Sequence, residues 1–232
     1  MICLAGFGDN ASMFSPLVEE CASGELEVLP INLPGFGAPT LDGQITSLDS
    51  LATHVNERAA ALGANIVLAH SVASIIASLA AGKPGSPLGF VMSLEGNLTP
   101  EDAYFSGTAA EFPSANEFRP AFLSRLNDMA HEDAILSRYR EAVLQADPQA
   151  LWELGCAAHR FSTEHSPGAL LQSLPRSAYL YNPDNVPTSS LGWLQSSSLK
   201  RYELPNASHW ASIDQPKRLS EKIFVAIADA AP

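Results

Sequence analysis

Cysteine is scarce in this chain, basic residues are outnumbered, and no apolar run is long. The three cysteines, at positions 3, 21 and 156, are widely separated and form no CxxC pair. That excludes a disulfide framework and a thiolate zinc site, and it fits a reducing compartment holding idle or buried thiols. Thirteen Lys and Arg stand against 25 Asp and Glu, a formal net charge of −12. With no Lys/Arg cluster, such a chain is repelled by phosphate backbones and anionic bilayers, so nucleic-acid and membrane partners are not expected. No window approaches the ~18 continuous apolar residues of a membrane-spanning helix. The N-terminus has neither a basic n-region nor a signal-length apolar stretch, so cytoplasmic residence is the expectation. The sequons at Asn10, Asn97 and Asn206 are then chance matches.

What is present describes a globular protein. The 232 residues, 46% hydrophobic and 16% charged, suit one domain or one domain carrying an insertion. Strand-like runs are predicted at 2–5, 26–32, 65–69 and 89–94, alternating with helical stretches at 13–22, 47–62 and 72–81. The rhythm predicts a parallel sheet covered by helices. It breaks between about 99 and 174, where only helical segments are legible (121–129, 134–145, 148–159). It resumes with strands at 177–181 and 199–204 and helices at 189–195 and 216–230. The expectation is an α/β core made of residues 1–98 and 175–232, with an all-helical insertion at 99–174 lying over the C-terminal edge of the sheet.

Three segments carry chemistry. In Ala69-His70-Ser71-Val72-Ala73 a buried strand passes straight into a small-residue helix with Ser71 at the turn. This is the layout of a nucleophile elbow, which wants glycine two before and two after the serine; alanine occupies both places. A serine that merely caps the helix is the plainer reading. His209, in Ser208-His209-Trp210, follows the last strand and is placed to act as general base; alone it would read as a surface loop histidine. His54, His131, His159 and His165 have weaker claims, and His70 should point away from Ser71. In Gly6-Phe7-Gly8, after the first strand, the Phe7 amide could pair with that of Val72 as an oxyanion hole. Gly6 to Ala11 also fits the degenerate G-x-G-x-x-G/A dinucleotide pattern, but the next strand ends at Asn32-Leu33-Pro34-Gly35 without the acidic residue a ribose needs.

Taken together, these segments resemble the α/β-hydrolase superfamily over nearly the whole chain. Ala5-Gly6-Phe7-Gly8 is similar to its His-Gly-x-x oxyanion turn, with alanine in place of histidine. Leu33-Pro34-Gly35-Phe36-Gly37 is similar to its D-x-P-G-x-G loop, with Asn32 where aspartate is usual. Ala69–Ala73 stands for G-x-S-x-G, Ser208-His209-Trp210 for the histidine loop, and the helical insertion for the lid. The chain begins at the strand before the oxyanion turn, without the two upstream strands of many members. The resemblance implies a Ser71–His209–acid triad, and two carboxylates compete for its third place. Glu95, in Val91-Met92-Ser93-Leu94-Glu95-Gly96, resembles the acid segment of haloalkane dehalogenases and is the first choice; Asp184, near the other usual slot at Asn185, is the alternative. Serine rather than aspartate at the nucleophile excludes dehalogenase and epoxide-hydrolase chemistry.

The implied activity is hydrolysis of an ester or related acyl bond in a small, apolar substrate through an acyl-enzyme, with no metal or organic cofactor. Aromatic residues of the insertion, among them Tyr104, Phe105, Tyr139 and Trp152, could line the pocket, although most suit the insertion's own core. The same scaffold serves small-molecule receptors, carbon–carbon bond hydrolases and lyases, which are the alternative. The partner is a small molecule; the oligomeric state is not legible.

Overall fold

The computed structural model describes every residue except Glu25, Asp42, Glu132, Ala231 and Pro232. Glu132 of the expected insertion and the last two residues of the expected core therefore lie outside the described residues. Six strands form the sheet: β1 (Ile2–Leu4), β2 (Leu29–Ile31), β3 (Ile66–His70), β4 (Phe90–Leu94), β5 (Ser177–Tyr181) and β6 (Lys200–Glu203). Their order is β2-β1-β3-β4-β5-β6 and every pair is parallel. The central strands read as continuous apolar runs because both faces are covered; all five residues of β4 are buried. The edges are blunted. Pro30 sits in β2, and β6 exposes Lys200, Arg201 and Glu203.

Around the sheet, α1 (Ser15–Cys21) packs with α10 (Pro216–Asp229), and α2 (Leu48–Ala61) packs with α3 (Ala73–Gly82). Helix α2 starts in a capping box between Ser47 and Ser50 and buries Leu48, Leu51, Ala52, Val55 and Ala59. Helix α3 is small-residue and buried along most of its length, which lets it lie against β3 and β4. The remaining core helices are α8 (Thr188–Ser196) and the short α9 (Ala211–Asp214).

Between β4 and β5 the described residues contain no strand, only 3-10 turns at Pro100–Ala103 and Ser106–Glu111 and helices α4 (Ala115–Met129), α5 (Ala134–Gln145), α6 (Pro148–Glu164) and α7 (Pro167–Ser173). Helix α4 starts six residues before the expected 121, and Pro120 lies inside it. A proline suggests a helix start, but Ala115, Phe118, Phe122 and Leu126 form one buried stripe whose packing outweighs the missing backbone donor. Helix α7 was not anticipated.

The topology places a site. From β1 the chain moves to β2 on one side and then to β3 on the other, so the strand order reverses between β1 and β3. Ligands of open parallel sheets bind outside the C-terminal strand ends at such a reversal. Gly6 and Ser71 sit there, since Leu4 of β1 pairs with Ala69 of β3.

Candidate active site

Ser71 follows β3 directly and has φ 53, a left-handed conformation that costs a non-glycine residue about 1–2 kcal/mol. Its N–H donates to Leu94 O at 2.9 Å, and its carbonyl accepts from Ser74 N at 2.9 Å, so the strain is held by the neighbouring strand and by the helix behind it. Ala69 and Ala73, the two flanking positions, are fully buried and show that the turn accommodates a methyl group on each side. Gly6 cannot do likewise: a Cβ there would lie 2.8 Å from Ser71 Cβ and 2.9 Å from His70 Nδ1. The Gly6–Phe7 turn thus abuts Ser71. Among the described residues, neither the Phe7 nor the Val72 N–H donates to another protein group.

His209 sits in a loop pinned from several directions. Asn182 Nδ2 and Asn185 Nδ2 donate to Ala207 O (2.8 and 3.1 Å), Ser208 N donates to Asp214 Oδ2 (2.7 Å), and Trp210 N donates to Ser208 Oγ (3.1 Å). Burial lowers the His209 pKa to about 4, against the opposing pull of Asp102 and Asp9. The imidazole is therefore neutral at neutral pH, the form a proton acceptor requires.

Of the two candidate carboxylates, Glu95 faces this imidazole, with Oε2 3.7 Å from His209 Nδ1. Glu95 directly follows β4 with φ 51, and its Oε1 accepts from Asn182 N at 2.6 Å and Asn185 Nδ2 at 3.3 Å. Burial raises its pKa to about 8 even though those two hydrogen bonds pull the other way. Asp184 is exposed in the turn after β5, and only its backbone N–H, donating to Asn182 Oδ1, touches this region. At the slot beside it, Asn185 serves Glu95 as a donor.

Ser71, His209, Phe7 and Gly6 line one cavity of about 10 Å³, room for about one water molecule. Tyr104, Phe105, Tyr139 and Trp210 supply its aromatic walls, and Asp9, Asp102, His70 and Ser106 complete it. His70 corrects an expectation. It does not point away from the serine but lines the same cavity, its ring tilted 58° against that of His209 at 4.6 Å between centres, with its Nε2 donating to His209 O at 2.9 Å. Side-chain alternation along an ideal strand suggested otherwise; the left-handed turn at Ser71 and the incoming His209 loop bring the two rings together.

Asp9 and Arg138 escaped sequence reasoning, while Tyr104 and Tyr139, named there only as possible pocket lining, also make specific polar contacts. Asp9 is buried and accepts two bonds from Arg138 (2.8 and 2.7 Å) and one from Trp210 Nε1 (3.2 Å). Next to Arg138 on α5, Tyr139 donates to Phe7 O at 2.7 Å, so the insertion grips the turn beside Ser71. Tyr104 places its hydroxyl 3.3 Å from His209 Nδ1. These pairs span 105 to 201 residues of sequence, and no local pattern announces them. Among the described residues no group of three or more His, Cys, Asp or Glu gathers as a metal site, and no helix is long and apolar enough to cross a membrane.

A parallel sheet with a strained serine at its switch point, beside a pinned histidine and a buried carboxylate, is the arrangement of an α/β-hydrolase fold. The chain belongs to the alpha/beta hydrolase family, whose model matches residues 1–222. Solved structures agree in fold. A thermophilic esterase from Thermogutta terrifontis superposes with a TM-score of 0.75 at 16% identity, covering 100% of this chain and 90% of that one. A hydrolase from Oleispira antarctica gives 0.76 at 14% identity, covering 98% and 90%. An enol-lactonase from Burkholderia xenovorans gives 0.70 at 15%, with the same coverage. At these identities the likeness is one of fold. No curated protein matches the chain.

Proposed function

We propose that this protein is a serine hydrolase that cleaves an ester or related acyl bond of a small substrate. The observation that carries the reading is the left-handed Ser71 sharing one small cavity with His209, while Glu95 Oε2 lies 3.7 Å from Nδ1 of that histidine. In the proposed reaction His209 takes the Ser71 proton through Nε2 as the serine oxygen attacks the carbonyl. The Phe7 and Val72 amides, free of other partners, receive the developing oxyanion. Glu95 orients His209 and stabilises its imidazolium, with Asn182 and Asn185 holding the carboxylate. The imidazolium gives that proton to the departing alkoxide as the substrate's acyl bond breaks, and water, deprotonated by the neutral His209, then releases the acyl group from Ser71. The helical segment from 99 to 174 serves as a lid. This is supported by the grip of Arg138 and Tyr139 on the oxyanion turn and by Tyr104, Phe105 and Tyr139 of this segment walling the cavity.

The test is hydrolysis of short-chain p-nitrophenyl esters by wild type, Ser71→Ala, Glu95→Gln and Asp184→Asn, with fluorophosphonate labelling located by peptide mass. Multiple turnovers lost with Ser71→Ala and reduced by orders of magnitude in Glu95→Gln, but not in Asp184→Asn, are expected. Absence of turnover, with no label on Ser71, would overturn the reading in favour of a receptor or a non-hydrolytic relative.

A further inference from the structure

Two side-chain acceptors of the cavity are left without partners. Its large side-chain donors are committed: Tyr139 Oη to Phe7 O, and Trp210 Nε1 to Asp9. The Asp9 carboxylate is also neutralised by both terminal nitrogens of Arg138. Two acceptors stay free. The bond from His70 Nε2 to a carbonyl, which can only accept, puts the proton on Nε2 and leaves Nδ1 a buried lone pair without a partner. Asp102 uses Oδ2 to accept from Leu98 N (2.8 Å), Thr99 N (2.8 Å) and Ser190 Oγ (2.6 Å), while Oδ1 has no partner among the described residues. The donors that remain in the wall are the Ser71, Ser106 and Tyr104 hydroxyls and the Phe7 amide, and the first and last of these belong to the proposed reaction.

The walls also suit a cation. Tyr104 and Phe105 (5.0 Å between ring centres), Phe105 and Tyr139 (6.1 Å), and Tyr139 and Trp210 (5.1 Å) form a continuous aromatic surface from the half-exposed Tyr104 inward. One ring of this surface already holds a cation, with the Arg125 guanidinium 5.4 Å from the centre of Phe105. Arg125 is exposed and does not line the cavity, and neither does any other Lys or Arg. Among the described residues Asp102 forms no ion pair, so an incoming cation would meet a carboxylate that has no counter-charge of its own. The net charge of −12 draws cations toward the whole molecule.

Resting on the hydrolase reading above, we propose that the site selects acyl substrates carrying an amine or quaternary ammonium group, seated between Asp102 and the Tyr104–Phe105 wall, and disfavours carboxylate-bearing ones. The test compares three thioesters of matched size: acetylthiocholine, its uncharged isostere S-(3,3-dimethylbutyl) thioacetate, and the carboxylate-bearing S-acetyl-3-mercaptopropionate, each followed by thiol release. The expected kcat/KM order is cation, neutral, anion, with roughly tenfold or more between cation and neutral. The cation's advantage should shrink as salt rises. Asp102→Asn should bring the cation-to-neutral ratio close to unity; if that variant does not fold, the wild-type ranking and its salt dependence decide. Turnover of the neutral thioester with no advantage for the cation, or equal use of the anion, overturns this proposal and leaves the hydrolase reading standing. No turnover of any of the three, in a protein also inactive on p-nitrophenyl esters, overturns both.

Discussion

Glu95→Gln should make the protein more stable and less active at once, and the gain in stability should grow with pH. An ordinary glutamate titrates near 4.5, and burial carries Glu95 to about 8. At 1.36 kcal/mol per pH unit, that difference corresponds to on the order of 5 kcal/mol between the folded chain with Glu95 neutral and with Glu95 charged. Because the folded value lies above the unfolded one, this stability is fully present below pH 4.5 and is lost as the pH climbs through 8. Glutamine keeps an oxygen for the Asn182 and Asn185 donors and cannot ionise. Unfolding wild type and variant in urea at pH 5, 7 and 9 should therefore give near-equal stability at pH 5 and a variant more stable by several kcal/mol at pH 9. The opposite change is expected in catalysis. A glutamine amide facing His209 Nδ1 favours the tautomer with its proton on the wrong nitrogen, and losses on the order of 10³- to 10⁴-fold follow such a change. In wild type the rate should rise with pH as Glu95 ionises, with a midpoint near 8 that the variant lacks. A stability difference independent of pH, or a variant weaker than wild type at pH 9, would refute the buried-charge argument.

Other expectations follow from the same geometry. Ser71→Gly should remove the cost of the left-handed backbone and stabilise the fold by about 1 kcal/mol in thermal melts while abolishing turnover. Tyr139→Phe leaves Phe7 O without its donor; a loss of about 1–3 kcal/mol is expected, with kcat falling more than KM changes, because the oxyanion turn loosens. Arg138→Met strands the buried Asp9 carboxylate and should cost about 3–5 kcal/mol in chemical denaturation. His70 and His209 are held neutral by burial, with pKa values of about 3 and 4 against an ordinary 6.5. The unfolded chain takes up those protons first, so their contribution is present above pH 6.5 and lost as the pH falls toward 4. Melting temperatures between pH 4.5 and 6.5 should drop steeply in wild type and less so in His70→Gln.

Much of the architecture lay in local pattern. The apolar runs of β3 and β4, the small-residue helix α3 and the break in rhythm after Leu94 are properties of neighbouring residues, and the core and insertion could be drawn from them. Ser71 was legible for the same reason, since an elbow is a strand, a turn and a helix in succession. Its companions depended on register and on the approach of distant loops. The sequence favours Glu95 over Asp184 only slightly; they differ because the left-handed residue after β4 turns its carboxylate toward His209, while the turn after β5 leaves the other in solvent. His70 was misjudged because strand alternation ignores the loop that arrives from residue 209. Asp9 sat inside a glycine-rich turn, and only packing joined it to Arg138 and Trp210. Periodicity is set within a few residues by backbone geometry and burial. The charge state and partner of a buried group are set by whatever the finished fold places around it, and that is a tertiary property.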